Sequence, residues 1–64
     1  MKYEIIDSKT GEPTGAAFQT ASEAAEFLSL VKGCGYAYRQ SSERLDSSET
    51  YNANLLLQGV GVAG

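Results

Sequence analysis

The sequence predicts an α+β fold: a three-stranded antiparallel sheet with one helix packed on it, in the order β-β-α-β, with a second helix favoured near the end. Three observations predict it. Residues 18–28, Phe-Gln-Thr-Ala-Ser-Glu-Ala-Ala-Glu-Phe-Leu, mark a strand running into a helix. Two short apolar segments flank a turn-forming run before that junction. A tyrosine-rich segment follows the helix and a glycine.

The first strand is expected at residues 2–7, Lys-Tyr-Glu-Ile-Ile-Asp. Strand alternation puts Tyr3 and Ile5 on one face and Lys2, Glu4 and Ile6 on the other. Asp7-Ser8-Lys9-Thr10-Gly11-Glu12 then reads as a turn, because Asp and Ser bond their own backbone and Gly11 tolerates positive φ. Pro13 cannot donate a ladder hydrogen bond, so the returning strand lies at a sheet edge or begins after it. It is placed at residues 15–19 with Phe18 inward.

The helix is placed at residues 21–32. Thr20 and Glu23 have capping-box spacing. Ala21, Ala24, Leu28 and Val31 form one apolar stripe. Glu23 and Glu26 sit near the N-terminus and Lys32 near the C-terminus, each suited to the helix dipole. Gly33 suits the position just beyond the helix. The third strand is placed at residues 35–41. Tyr36, Tyr38 and Gln40 share one face, Ala37 and Arg39 the other.

Residues 41–48 read as a loop. Beyond them Asp46 and Glu49 repeat the capping-box spacing, and a helix over residues 47–58 closed by Gly59 is favoured. Tyr51, Leu55 and Leu56 would share one of its faces. A strand is the rival, since Asn52 and Asn54 alternate with Tyr51, Ala53 and Leu55. Residues 59–64 are glycine-rich and read as a flexible tail.

The chain has 64 residues, room for one small domain with a thin core built from Tyr3, Ile5, Ile6, Phe18, Phe27, Leu28 and Val31. The formal net charge is −3, and neither half is basic. Nucleic-acid binders draw much of their affinity from a positive stripe, so that partner class is disfavoured. Another protein, with a basic surface a suitable target, is the expected partner. There is no apolar run long enough to span a bilayer and no signal-peptide pattern, so a cytoplasmic protein without membrane contact is expected.

Catalytic chemistry finds few groups to use. The chain has no histidine, which removes the commonest general base and metal ligand. Its one cysteine cannot form a thiolate zinc site or an internal disulfide. No cofactor, no metal and no enzymatic activity are expected. Cys34 itself reads as a small buried residue at the helix–strand junction rather than a reactive thiol. Asp7 and Glu12 lack the spacing of a calcium loop and are assigned to the turn. The glycine pairs at residues 33–35 and 59–61 do not match phosphate-binding loops.

Tyrosine is enriched at protein interfaces. Tyr36, Tyr38 and Arg39 on one strand, with Tyr51, Leu55 and Leu56, are therefore the candidate partner-binding residues, with ordinary sheet packing the alternative for the tyrosines. The apolar C-terminal segment offers a second route, self-association into a homodimer or larger assembly.

The Met-Lys-Tyr-Glu-Ile-Ile-Asp start, the Thr10-Gly11 turn and the Phe18-Gln19-Thr20 junction into Glu23-Ala24 resemble small acidic phage-encoded accessory proteins. That resemblance is to host-takeover and anti-defence proteins, over residues 1–41, in element order and style. It implies a non-enzymatic inhibitor of a host enzyme or nucleic-acid-handling complex, acting in the host cytoplasm. The strand–Thr–helix junction also resembles integrase-arm and RNase H-associated modules. Those are basic, so a nucleic-acid-binding accessory role remains the third reading.

Overall fold

The computed structural model describes residues 1–63, with side chains described through Gln58. The elements are β1 (Lys2–Asp7), β2 (Pro13–Phe18), α1 (Ala21–Leu30), β3 (Tyr36–Ser41) and α2 (Ser47–Ala63). The three strands form one antiparallel sheet in the order β2-β1-β3. The fold is α+β with the expected β-β-α-β order, completed by the second helix.

β2 is an edge strand, as Pro13 requires, but it starts at Pro13 and ends at Phe18. Ile5 pairs with Ala16 and Ile6 with Pro13, so Thr14 and Gly15 have no opposite residues on β1. This bulge lets the strand begin two residues early. Gly15 takes φ +89 within it, a conformation costly for other residues. The Thr14 hydroxyl donates to the Ile5 carbonyl at 2.8 Å and fills a gap in the ladder.

The turn between β1 and β2 closes as its composition predicts. Asp7 Oδ1 accepts from the Lys9 N–H at 2.8 Å, and the Gly11 N–H donates to the Asp7 carbonyl at 2.7 Å. Ser8 ties this turn to the start of β3: its N–H and its hydroxyl both donate to the Gly35 carbonyl.

α1 starts at the predicted residue. Thr20 Oγ1 accepts from the Glu23 N–H at 3.2 Å and its hydroxyl donates to Glu23 Oε1 at 3.2 Å. The glutamate thus returns to the threonine side chain instead of its backbone N–H. The helix ends at Leu30 with Val31 as its cap, two residues short of the expected end. Gly33, φ +91, turns the chain afterwards. β3 begins at Tyr36 instead of residue 35.

The core gathers Ile5, Ala16, Ala24, Phe27, Val31 and Ala53, with Tyr3, Phe18, Leu28, Tyr36, Leu56 and Leu57 partly buried against it. Ile6, expected in the core, is half-buried and outside this cluster. Ala16 and Ala17 are both fully buried although neighbours on a strand face opposite ways. Both faces of β2 are therefore covered, and α2 packs chiefly against this strand.

The ambiguous last third is helix, not strand. Asp46 caps it: Oδ1 accepts from the Ser48 N–H at 3.1 Å, while Glu49 Oε1 accepts from the Asp46 N–H at 3.0 Å. The helix continues past Gly59 to Ala63. The expected inward face is corrected. Tyr51 and Leu55 point outward, 63% and 46% exposed, and only Leu56 of that trio packs on the core. Asn52 and Ala53 face the sheet in their place, because the tight run Gly15-Ala16-Ala17 admits small and short side chains.

Candidate functional site

Among the described residues two surfaces gather side chains that could make a site. The first is a charge cluster on β1. Lys2 and Glu4 are only 7% and 9% exposed, unusual for charged groups. Burying a charge is costly unless it is paired, and here every partner is supplied. Lys2 Nζ donates to both carboxylate oxygens of Glu49, at 2.9 and 2.7 Å. It also lies 3.5 Å from Glu43 Oε1 and 3.8 Å from Glu4 Oε1. Arg39 donates from Nε and Nη2 to Glu4 Oε2 at 3.2 and 3.1 Å.

The Glu49 hydrogen bond, opposed by desolvation and aided by the charges of Glu49, Glu43 and Glu4, raises the Lys2 pKa above its ordinary value. Asp46 is shifted the other way. Its carboxyl is held below the ordinary range by hydrogen bonds from the Ser48 backbone and hydroxyl, with a smaller contribution from Lys2. The cluster fastens α2 to the sheet: Glu49 belongs to the helix, Lys2 and Glu4 to β1. The Asn52 side chain adds a second fastening, donating to the Gly15 carbonyl at 2.9 Å. Among the described residues no buried side-chain polar atom lacks a partner. The buried members of the cluster satisfy one another, while Glu43 and Arg39 remain largely exposed at its edge.

The second surface is a groove of about 260 Å³ between α1 and α2. Phe18, Phe27, Leu30 and Leu57 supply its apolar lining, and Glu23, Glu26 and Asn54 its polar edge. The Phe18 and Phe27 rings meet at 5.3 Å between centroids, tilted by 46°. Phe27 is fixed from below by the core, while Leu30 at the end of α1 is 59% exposed. Glu23 and Glu26 are exposed and enter none of the ion pairs among the described residues. α2 carries no lysine or arginine, so no cation faces them from that side.

The residues singled out in the sequence do not converge. The pairing of Ile5 with Tyr38 puts Tyr36 and Tyr38 on the Ile5 face of the sheet. Tyr36 is half-buried against the core; Tyr38, 40% exposed, meets Tyr3 edge-on at 5.9 Å. Arg39 points to the opposite face, where Glu4 holds it. Tyr51 and Leu55 stand one turn apart on the outer side of α2. Leu56 packs inward. Cys34 is exposed, correcting its expected burial: the turn built around Gly33 and Gly35 carries it out from the helix end.

Sequence reasoning missed both surfaces. The charge cluster left a faint signal: Lys2 and Glu4 alternate with core residues on β1 and needed a cover. The groove left none, because it depends on how α2 lies across Phe18. Among the described residues no cluster of potential metal ligands occurs, and no helix is long and apolar enough to cross a membrane. No protein-family model, curated protein or solved structure matches the chain.

Proposed function

We propose that this protein is a non-enzymatic module that binds another protein. The observation that carries the reading is three large apolar side chains left exposed on the two helices, Leu30 beside the groove and the Tyr51–Leu55 pair on α2. Exposed apolar patches rimmed by polar groups mark interaction sites in small proteins. The groove is smaller than a typical small-molecule pocket of roughly 300–1,000 Å³ and suits one or two side chains of a partner. The acidic balance of the chain supports a partner of positive charge. Covering a partner's working surface is how such a module would inhibit an enzyme or a nucleic-acid-handling complex.

Quantitative capture from a lysate of the encoding cell tests this, with wild-type protein beside Leu30→Glu and a Tyr51→Ser/Leu55→Ser double variant. All the substituted side chains are exposed, so the fold should persist. The expected result is one protein retained by the wild type and lost with at least one variant. Recovery of the same proteins by all three forms, or turnover of a small molecule by the pure chain, contradicts the reading.

A self-association reading has one observation in its favour. Tyr51 and Leu55 form an exposed apolar pair on a helix that can meet its own copy. Mass in solution for the wild type and the Tyr51→Ser/Leu55→Ser variant decides it. A dimer that the double variant abolishes would support self-association.

A further inference from the structure

We infer that the α1–α2 groove receives a partner segment with one or two apolar side chains flanked by lysine or arginine. The inference rests on the protein-binding reading and names the chemistry of the partner. The apolar half follows from the lining: Phe18, Phe27, Leu30 and Leu57 offer nothing a polar side chain could pair with. The size follows from the volume, about 260 Å³, which admits an anchor residue or two and no larger body.

The basic half follows from where the charges are already spent. Lys2 and Arg39 are committed to Glu4 on β1, Glu49 on α2 and Glu43 in the segment between β3 and α2. Glu23 and Glu26 stand exposed on α1 along the groove with no ion-pair partner among the described residues. Spaced three apart on a helix, they lie on one side and present two carboxylates together. A lysine or arginine next to a docked apolar anchor meets both. A second copy of this chain fits poorly, because its net charge of −3 opposes the same rim.

Two fluorescein-labelled 14-residue peptides of helix-forming sequence test the assignment by anisotropy. They carry leucines at the same positions, with lysine at the remaining charged positions in one and glutamate in the other. The lysine peptide is expected to bind and the glutamate peptide not. Glu26→Lys and Leu30→Glu should each weaken the lysine peptide about tenfold. Glu12→Lys makes the same charge change on the distant turn and should alter affinity less than about twofold. Circular dichroism of each variant establishes that it is folded.

Equal binding of the two peptides overturns the inference, as does an equal effect of Glu26→Lys and Glu12→Lys, which would leave only general charge attraction. Failure of both peptides to bind overturns it as well. If the capture assay still shows a Leu30- or Tyr51/Leu55-dependent partner in those cases, the protein-binding reading survives without this occupant.

Discussion

The two helices are attached to the same sheet by different chemistry. α1 buries Ala24 and Phe27, with Val31 at its cap, into a core shared with Ile5. Its attachment is hydrophobic, and its carboxylates stay outside. α2 buries little that is large before Leu56. Ala53 enters the core, while Glu49 grips Lys2 and Asn52 grips the Gly15 carbonyl. One helix is held by apolar area and the other by paired charge over a bed of alanine and glycine. A 64-residue chain has little apolar area to divide between two helices, and a buried ion cluster is one way to dock the second. The groove forms where these two attachments meet, at Phe18.

The comparison can be broken first on the apolar side. Phe27→Ala removes the largest side chain of the α1 attachment and should cost about 3–5 kcal/mol in denaturant unfolding. In so small a domain that should abolish cooperative folding; a loss under about 1 kcal/mol would show that the core does not depend on this ring.

On the polar side, Lys2→Met keeps the length of the stem and strands Glu49 without its cation, while Glu4 is left with Arg39 alone. A lowered melting temperature is expected, less severe than for Phe27→Ala and larger than for loss of a helix cap. An unchanged melting temperature would show that the cluster contributes nothing to the docking of α2.

Thr20→Ala should cost about 1 kcal/mol through the lost cap of α1, and Thr20→Ser much less. Equal effects of the two would place the stabilisation elsewhere than in the hydroxyl.

The pH dependence separates the helices most finely. The folded pKa of Asp46 is depressed, so its contribution is present above the ordinary value of 3.8 and fades as pH falls through and below it. The folded pKa of Lys2 is raised, so its contribution is full below the ordinary value of 10.5 and fades as pH rises through and above it. Both groups act on α2. Helical signal from α2 should therefore weaken at either extreme before that of α1, which site-resolved amide spectra would show. Simultaneous loss of both helices at both extremes would contradict this.

The contrast also explains what could be read from the sequence. The start of α1 was legible because its cap is local, and Ala24 and Val31 followed from apolar periodicity; its end was read two residues late, and Phe27, the ring it buries, lay outside the expected stripe. Pro13 limited β2 to a sheet edge or to a start beyond it, and the structure takes the first alternative. α2 was half legible: the Asp46–Glu49 box marks its start, but its inward face is Glu49, Asn52 and Ala53. Periodicity of large apolar residues pointed instead to Tyr51 and Leu55, which face outward. Its anchor is set by Lys2 and Gly15, 47 and 37 residues away along the chain, and no local pattern encodes that pairing. For the same reason the groove was invisible. The division of β3 was legible: strand alternation sends Tyr36 and Tyr38 to one face and Arg39 to the other, as the pairing with β1 has it.

Amide hydrogen exchange on the wild type and Lys2→Met tests the polar fastening of α2 most directly. The structure predicts that residues 49–57 exchange markedly faster in the variant while α1 and β1 keep their protection, and that groove-dependent binding of the lysine peptide weakens in step. Unchanged protection in α2, or an equal loss across both helices, would contradict it.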